Sequence, residues 1–528
     1  MAAARRRLLL TLLIAGLAVL ALGGLGVTIR EGAPAYVEST VGRPSRINPI
    51  TAHASDAEDD LAALIFSGLM RVGADGVPQA DLARSWELTP DGRTYTFHLR
   101  PGLTWHDGYP VTAADVSFTI ARIQAPGSGA SPALAAAWSG IEVVVADADT
   151  VIIRTPEPLA DFLVRAAVGI LPRHLEAQMT ASNEFAVPPF DRRPVGTGPY
   201  RLHALTADHA LLDRHPGFAL GAPHIARLEF RFAADAAGQV RDIRDGTASA
   251  ALLPDQSVEG DEDALARRPQ LVATPLTRTG YTALYMNTAR EPLTDVALRR
   301  AIAASLDRVE VATAAGVRGI AGDSVIVPGS WAYQHVPAAP PDPEAAWSAA
   351  GWARTADGTR AKAQRPLALD LVTNDDPARA TLADRVAAQL GAQGVLVRVV
   401  TLPAARVIAD RLRTGNFDLA IFGWEAGGDP DPYPGWHASQ AGDGGNIAAF
   451  RDAEASALLE AARTTMDTAE RVELYGLFLR RFADQVPAIV LWYPARAYIH
   501  PTALRGAQPG LLVTSGSRFH DVYKWRLN

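Results

Sequence analysis

Residues 367–422 read LALDLVTNDDPARATLADRVAAQLGAQGVLVRVVTLPAARVIADRLRTGNFDLAIF, and the fold class rests on this stretch. Leu367–Val372 is an apolar run of strand length. Ala378–Gln393 carries Leu382, Val386 and Leu390 at i, i+4 and i+8, the face of a helix, and Gly394 stops it. Val395–Leu402 is a second strand, Ala404–Arg413 a second helix, Gly415-Asn416 a turn and Phe417–Phe422 a third strand. This β-α-β-α-β alternation predicts an α/β fold with a parallel, helix-covered sheet. In such sheets ligands bind beyond the carboxyl ends of the strands. The third strand leads directly into Gly423-Trp424-Glu425-Ala426-Gly427-Gly428-Asp429-Pro430-Asp431-Pro432-Tyr433-Pro434-Gly435-Trp436, a loop of glycines, aromatics and carboxylates placed at that crevice.

Outward from this stretch the pattern changes. Arg93–Arg100 alternates with the period of a half-buried strand, between turns at Pro90-Asp91-Gly92 and Pro101-Gly102. Val143–Ala146 and Val151–Arg154 flank Asp147-Ala148-Asp149 as a hairpin. Thr112, with Asp115 three residues on, is the signature of a capped helix over Val116–Arg122. Thr294 is placed to cap a helix bearing Leu298, Ile302 and Val309 near one face. Downstream, Asp452–Met466 and Ala469–Gln485 are amphipathic helices, and Ala488–Tyr493 is a buried strand.

The 528 residues suffice for about three domains at ~150 residues each. A net charge of −7 offers no basic field for nucleic acid or anionic lipid. The absence of cysteine removes disulfides, zinc thiolates, thiol catalysis and lipid attachment through a lipobox cysteine. Arg5, Arg6 and Arg7 precede an apolar run from Leu8 to Ile29, the pattern of an export signal. The run is also long enough to span a bilayer, and Ala33-Pro34-Ala35 offers small residues for cleavage with a proline between them. Segment 1–35 therefore reads as a signal peptide or a signal anchor, and residues 36–528 as an extracytoplasmic body.

Catalytic patterns are missing. There is no phosphate-binding loop, no Gly-x-Ser-x-Gly elbow and no His-Glu-x-x-His, and the twelve histidines show no metal-ligand spacing. His106-Asp107 reads as part of a β-turn, Trp105–Gly108, rather than as a catalytic or metal pair. The chain is not expected to be an enzyme or to need a cofactor. In the loop, Trp424 favours a cleft over the core because it lies beyond a parallel strand among small and acidic residues. Glu425, Asp429 and Asp431 are either ligand carboxylates or ordinary turn chemistry.

Ordered blocks spanning about 45 to 495 resemble the large oligopeptide, dipeptide and nickel solute-binding proteins of ABC importers, called family 5 or cluster C. They include Arg46–Ile50, Ile65–Leu69 and Leu82–Val116, the last containing Trp105-His106-Asp107-Gly108-Tyr109-Pro110-Val111-Thr112-Ala113-Ala114-Asp115-Val116. Further blocks are Pro194–Tyr200 with its Gly-Thr-Gly-Pro-Tyr, Leu284–Thr288, Asp295–Arg308, Asp429–Tyr433 with His437 and Asn446, and Pro487–Tyr493. The resemblance implies a two-lobed periplasmic-binding-protein type II fold with a hinge and a small α+β domain inserted in lobe I. Mapped here, lobe I is 36–75, 194–276 and 492–528, the inserted domain 76–193 and lobe II 277–491.

It further implies capture of a peptide or other small molecule between the lobes and delivery to a membrane permease and its ATPase, by a monomer. A membrane-tethered sensor or scaffold with the same fold is the alternative. A bound peptide would pair with strand edges near Arg43, Ser45 and Arg46 in lobe I and along Trp424, Glu425, Ala426 and Gly427 in lobe II, with Asp429, Asp431, Tyr433 and Trp436 completing the loop. The family's amine-holding carboxylate falls at Gly427, which has no acid. Asp429 or Glu425 substitutes, or the ligand lacks a free amine; sugars, opines and metal chelates are bound on this fold too.

Overall fold

The computed structural model describes residues 36–528 without 52–53, 181–186, 255–263, 266, 315, 317, 337–341, 443 and 528. Segment 1–35, read as signal or anchor, lies outside the described residues. Among those described, no helix is long and apolar enough to cross a membrane.

The chain enters as β1 (Tyr36–Val41). Helix α1 (Asp56–Ile65) is capped by Ser55, which accepts the Glu58 N–H, and carries Asp56, Glu58 and Asp59 in its first turn, where the helix dipole favours negative charge. Strands β2 (Ala83–Leu88) and β3 (Thr94–Leu99), helix α2 (Ala113–Gln124) and strands β4 (Glu142–Val145) and β5 (Thr150–Arg154) follow. The four strands form a separate antiparallel sheet in the order β2-β3-β5-β4. β3 shows the expected alternation, with Tyr95, Phe97 and Leu99 buried, and β4–β5 is the predicted hairpin. Asp115 accepts the Thr112 N–H at 2.9 Å, as the capping pattern required.

β6 (Tyr200–Leu205), β7 (His209–Arg214) and β8 (Arg227–Ala233) form an antiparallel meander, and β8 runs parallel to β1 with Leu228 opposite Tyr36. Gly196 and Gly198 lead into it, and their lack of side chains is required. A Cβ at 196 would lie 1.8 Å from the Ile65 carbonyl oxygen, and one at 198 would lie 2.5 Å from that of Leu64, at the end of α1. β9 (Ala250–Leu253) flanks β1 on its other side. β10 (Leu271–Thr277) and β11 (Gly280–Met286) come next, then α3 (Val296–Ala304).

Here one expectation fails. Asp295, not Thr294, caps α3, accepting the Ala297 N–H at 2.9 Å. The helix stops at Ala304, and Asp307 starts a new one (Arg308–Ala314) by accepting the N–H groups of Val309 and Glu310 at 3.0 Å. Val309 is therefore exposed on a separate helix instead of sharing the face of Leu298 and Ile302.

The decisive stretch folds as read: β12 (Ala368–Asn374), α4 (Pro377–Ala392), β13 (Leu396–Leu402), a short helix at Ala404–Val407 that widens over Ile408–Leu412, and β14 (Leu419–Glu425). β12 is parallel to both β13 and β14. Helices cover both faces, so alternate residues of β11 serve different cores. Tyr281, Ala283 and Tyr285 pack with Trp436, Tyr475 and Phe482, while Leu284 and Met286 pack with Leu298, Leu382 and Val386.

After helices α5 (Ala453–Thr464) and α6 (Thr468–Gln485), strand β15 runs from Ala488 to Pro501, past the expected end at Tyr493. Its first half pairs with β11 and its second half with β9 and β10. One strand thus joins two sheets into the order β13-β12-β14-β11-β15-β9-β1-β8-β7-β6. The C-terminal segment returns to β1 and α1 through buried Arg518, whose Nε meets Glu38 at 3.0 Å and whose Nη1 meets Asp60 at 2.6 Å.

Candidate functional site

β14 pairs with β11 along its whole length, with Trp424 opposite Tyr281 and Glu425 opposite Gly280. Its other neighbour, β12, pairs only with Leu419–Ile421. From Phe422 onward that edge has no strand partner among the described residues. Trp424 and Glu425, expected in the loop, are the last residues of the strand, and the edge they leave open lies at the crevice of the parallel sheet.

Arg379 lies over this edge. Asp376 caps α4 by accepting the Arg379 N–H at 3.0 Å, and Pro377 occupies the first turn, so the side chain starts at a helix N-terminus facing the ends of β12 and β14. The guanidinium carbon is 5.7 Å from the centroid of the Phe422 ring, and a Cβ at Gly423 would lie 2.8 Å from Nη2. Its Nε is buried without a hydrogen-bond partner, and its Nη1 has a long contact of 3.4 Å to Asn374 Oδ1. Among the described residues no carboxylate pairs with it. Arg379 was not singled out in the sequence, although its place at the start of the helix after a parallel strand was a usable signal.

The loop carboxylates are occupied. Asp429 holds Arg471 through both oxygens, at 2.8 and 3.0 Å, with both side chains less than a tenth exposed. Burial pushes the Asp429 carboxyl up and the Arg471 charge opposes that shift. Asp431 accepts from Arg463 Nε at 2.8 Å and from the Tyr433 N–H at 2.9 Å. Tyr433 is stacked on the His437 ring at 4.1 Å and has the Arg463 guanidinium 4.0 Å from its centroid. Glu425, exposed, pairs with Arg278 at 3.0 Å, and the Ala426 carbonyl accepts from Thr279 Oγ1 at 2.8 Å.

The two tryptophans divide. Trp424 is half-buried, and its indole lies against Gly435 and Gly445, where Cβ atoms would come within 3.4 and 2.6 Å of the ring. Trp436, expected to contact ligand, is 1% exposed. It donates to the Tyr281 hydroxyl at 2.9 Å and stacks on Tyr285, which makes it a core residue.

The other expected edge lies elsewhere. Ser45 N–H and Oγ, Arg46 N–H and Ala54 N–H all donate to the Glu58 carboxylate. Burial raises the Glu58 carboxyl, but these donors outweigh it and hold the group below its ordinary range. Arg43 and Ser45 line a broad groove of about 1050 Å³ whose other walls come from residues 191–207, not from the 423–436 loop. That loop instead meets the β1 side of the molecule beside Thr279 and Gly428, at a cavity of about 240 Å³ that reaches Ser67, Arg71 and Asp81.

Comparison with known proteins accords with this architecture. The model for bacterial extracellular solute-binding proteins, family 5 (middle), matches residues 77–446. The dipeptide-binding protein of Escherichia coli (strain K12) is 26% identical over 511 residues, covering 89% of this chain and 91% of that protein. The structure of HbpA2 from Haemophilus parasuis superposes with a TM-score of 0.81 at 20% identity, over 93% of this chain and 99% of that one. NikZ from Campylobacter jejuni, in complex with Ni(L-His), superposes with a TM-score of 0.68 at 24% identity, over 93% and 99%. A type II fold in which one long strand joins the two sheets, with a family match across most of its length, makes this chain a member of the bacterial extracellular solute-binding proteins of family 5.

Proposed function

We propose that the chain is the extracytoplasmic solute-binding component of an ABC importer, enclosing a small peptide or related carboxylate-bearing solute and delivering it to a membrane permease and its ATPase. The observation that carries this reading is the unpaired edge of β14 at Gly423–Glu425 beneath Arg379, a cation without a carboxylate partner among the described residues. An extended ligand can add its backbone to such an edge. A guanidinium with a free donor recognises a carboxylate through charge-assisted hydrogen bonds. The half-buried Trp424 supplies an aromatic surface at the same edge.

The lobes are 36–75 with 194–276 and 492–528, and 277–491, with 76–193 inserted. β15 and the short link between β10 and β11 are the places where the chain passes between them, so closure is a hinge motion there. In this reading the protein acts as an exported monomer, and its similarity to a dipeptide-binding protein supports solute capture over a tethered sensor.

Native mass spectrometry of the chain purified without refolding would identify a co-purified solute. That solute, or a panel of short peptides, is then titrated calorimetrically. Arg379→Met and Trp424→Ala are each expected to bind at least ~30-fold more weakly, about 2 kcal/mol. Wild-type affinity in both variants would sink the reading.

A further inference from the structure

On the boundaries proposed above, the inserted domain and its entry hairpin meet lobe II at places outside β15 and the β10–β11 link. The hairpin pairs Met70–Val72 with Pro78–Ala80. At its tip the Asp75 carbonyl accepts the Trp331 N–H at 3.0 Å. A Cβ at Gly76 would lie 3.6 Å from Trp331 Cδ1 and 3.4 Å from the Gly428 carbonyl oxygen. The turn is tied back to the C-terminal segment, because the Leu511 N–H donates to the Ala74 carbonyl at 2.9 Å. At a second place the Arg463 carbonyl, near the end of α5, accepts the Ala160 N–H at 3.0 Å. There the Tyr95 hydroxyl also lies 3.5 Å from Met466 Sδ.

The loop that follows the open edge of β14 is what the hairpin grips. Gly428 lies against Val72, Val164 and Val513, and a Cβ there would come within 3.0 Å of Val164 Cγ1. Its backbone is outside the left-handed region, so glycine is needed here for the close approach and not for the turn. The next residue, Asp429, is fixed by Arg471, whose guanidinium carbon is also 5.0 Å from the centroid of the Trp331 ring. From this geometry we infer that the inserted domain is the clasp of the molecule: with its entry hairpin it closes on Gly428 and Trp331 and holds the lobes shut over the β14 edge. The hinge permits closure, whereas contacts made only in the shut state set how much of it is populated. This role rests on the solute-binding reading and gives the inserted domain a task within it.

The full chain has no cysteine, so Val164→Cys with Gly428→Cys introduces a single pair, placed closely enough for a disulfide. Diamide is expected to join it in nearly all molecules, and the joined form to show the radius of gyration of the shut structure in small-angle scattering. Gly428→Leu, with unchanged circular dichroism, is expected to show a larger radius, because its side chain meets Val164 before the lobes shut. Failure of the cross-link overturns the assignment, and so does a Gly428→Leu chain as compact as the joined form. Exchange of the solute identified by native mass spectrometry is expected to slow at least ~10-fold in the joined form and to recover with dithiothreitol. Exchange untouched by the cross-link also overturns the clasp. A chain whose radius responds in this way but which captures no solute would sink the importer reading and leave the clasp standing.

Discussion

Gly427 stands where the family resemblance puts an amine-holding acid, and the structure leaves room for one. A Cβ built there meets no atom within 4 Å, and its backbone lies outside the left-handed region. Gly427→Asp is therefore expected to fold normally and to favour free-amine dipeptides over their N-acetylated forms by about tenfold, ~1.4 kcal/mol, in competition calorimetry. An unchanged ratio would show that the loop does not meet the ligand's amino terminus. The neighbouring residues show what a sequence cannot resolve at this scale. Asp429 and Asp431 have the same spacing whether they are solvated turn carboxylates or buried partners of Arg471 and Arg463, which come more than thirty residues later. Trp424 and Trp436 flank one loop, yet the first lies over glycines at the crevice and the second is sealed in the core.

At the scale of elements, local signals held wherever the element is satisfied locally. The β3 alternation, the α2 cap and the strand–helix alternation from β12 to β14 all depend on near neighbours in sequence. The Gly-Thr-Gly-Pro-Tyr motif is a different case. It is recognisable in sequence, but its cause is the end of α1 pressed onto two glycines. Gly196→Ala would drive Cβ into the Ile65 carbonyl, backbone against backbone, with no flexible side chain to give way. We expect a loss of about 3 kcal/mol or more, read as a lowered denaturation midpoint with unchanged slope. The capping error at Thr294 has an equally local cause, since Thr294 and Asp295 are both good caps and the chain uses the second.

At the scale of the whole molecule, two long-range ties organise the chain: β15, shared by both sheets, and the buried cluster of Arg518 with Glu38 and Asp60. Burial pushes Glu38 up to about 7 even with Arg518 opposing the shift. Arg518→Met would leave two buried carboxyls without a cation, at a cost of about 3–5 kcal/mol. The sign of its pH dependence follows. A carboxyl whose folded pKa is raised binds more protons folded than unfolded, so stability falls as pH rises from the ordinary carboxylate range through the raised value. The variant's deficit is accordingly expected to be larger at pH 8 than at pH 5 in urea melts. A deficit independent of pH would mean that the cluster is not held by charge.

By itself the sequence determined the class of fold, the order of the elements around the parallel sheet and the family. Each of these is written in periodicity, turn residues or motifs that neighbours along the chain satisfy. Only the tertiary structure decided which groups at the crevice are free. Among the described residues Arg379 is left without a carboxylate, Asp429 and Asp431 are taken by distant arginines, and Ser45 is tied to Glu58. Whether a charge is paired depends on contacts between residues far apart in the chain, and no spacing in the sequence encodes them.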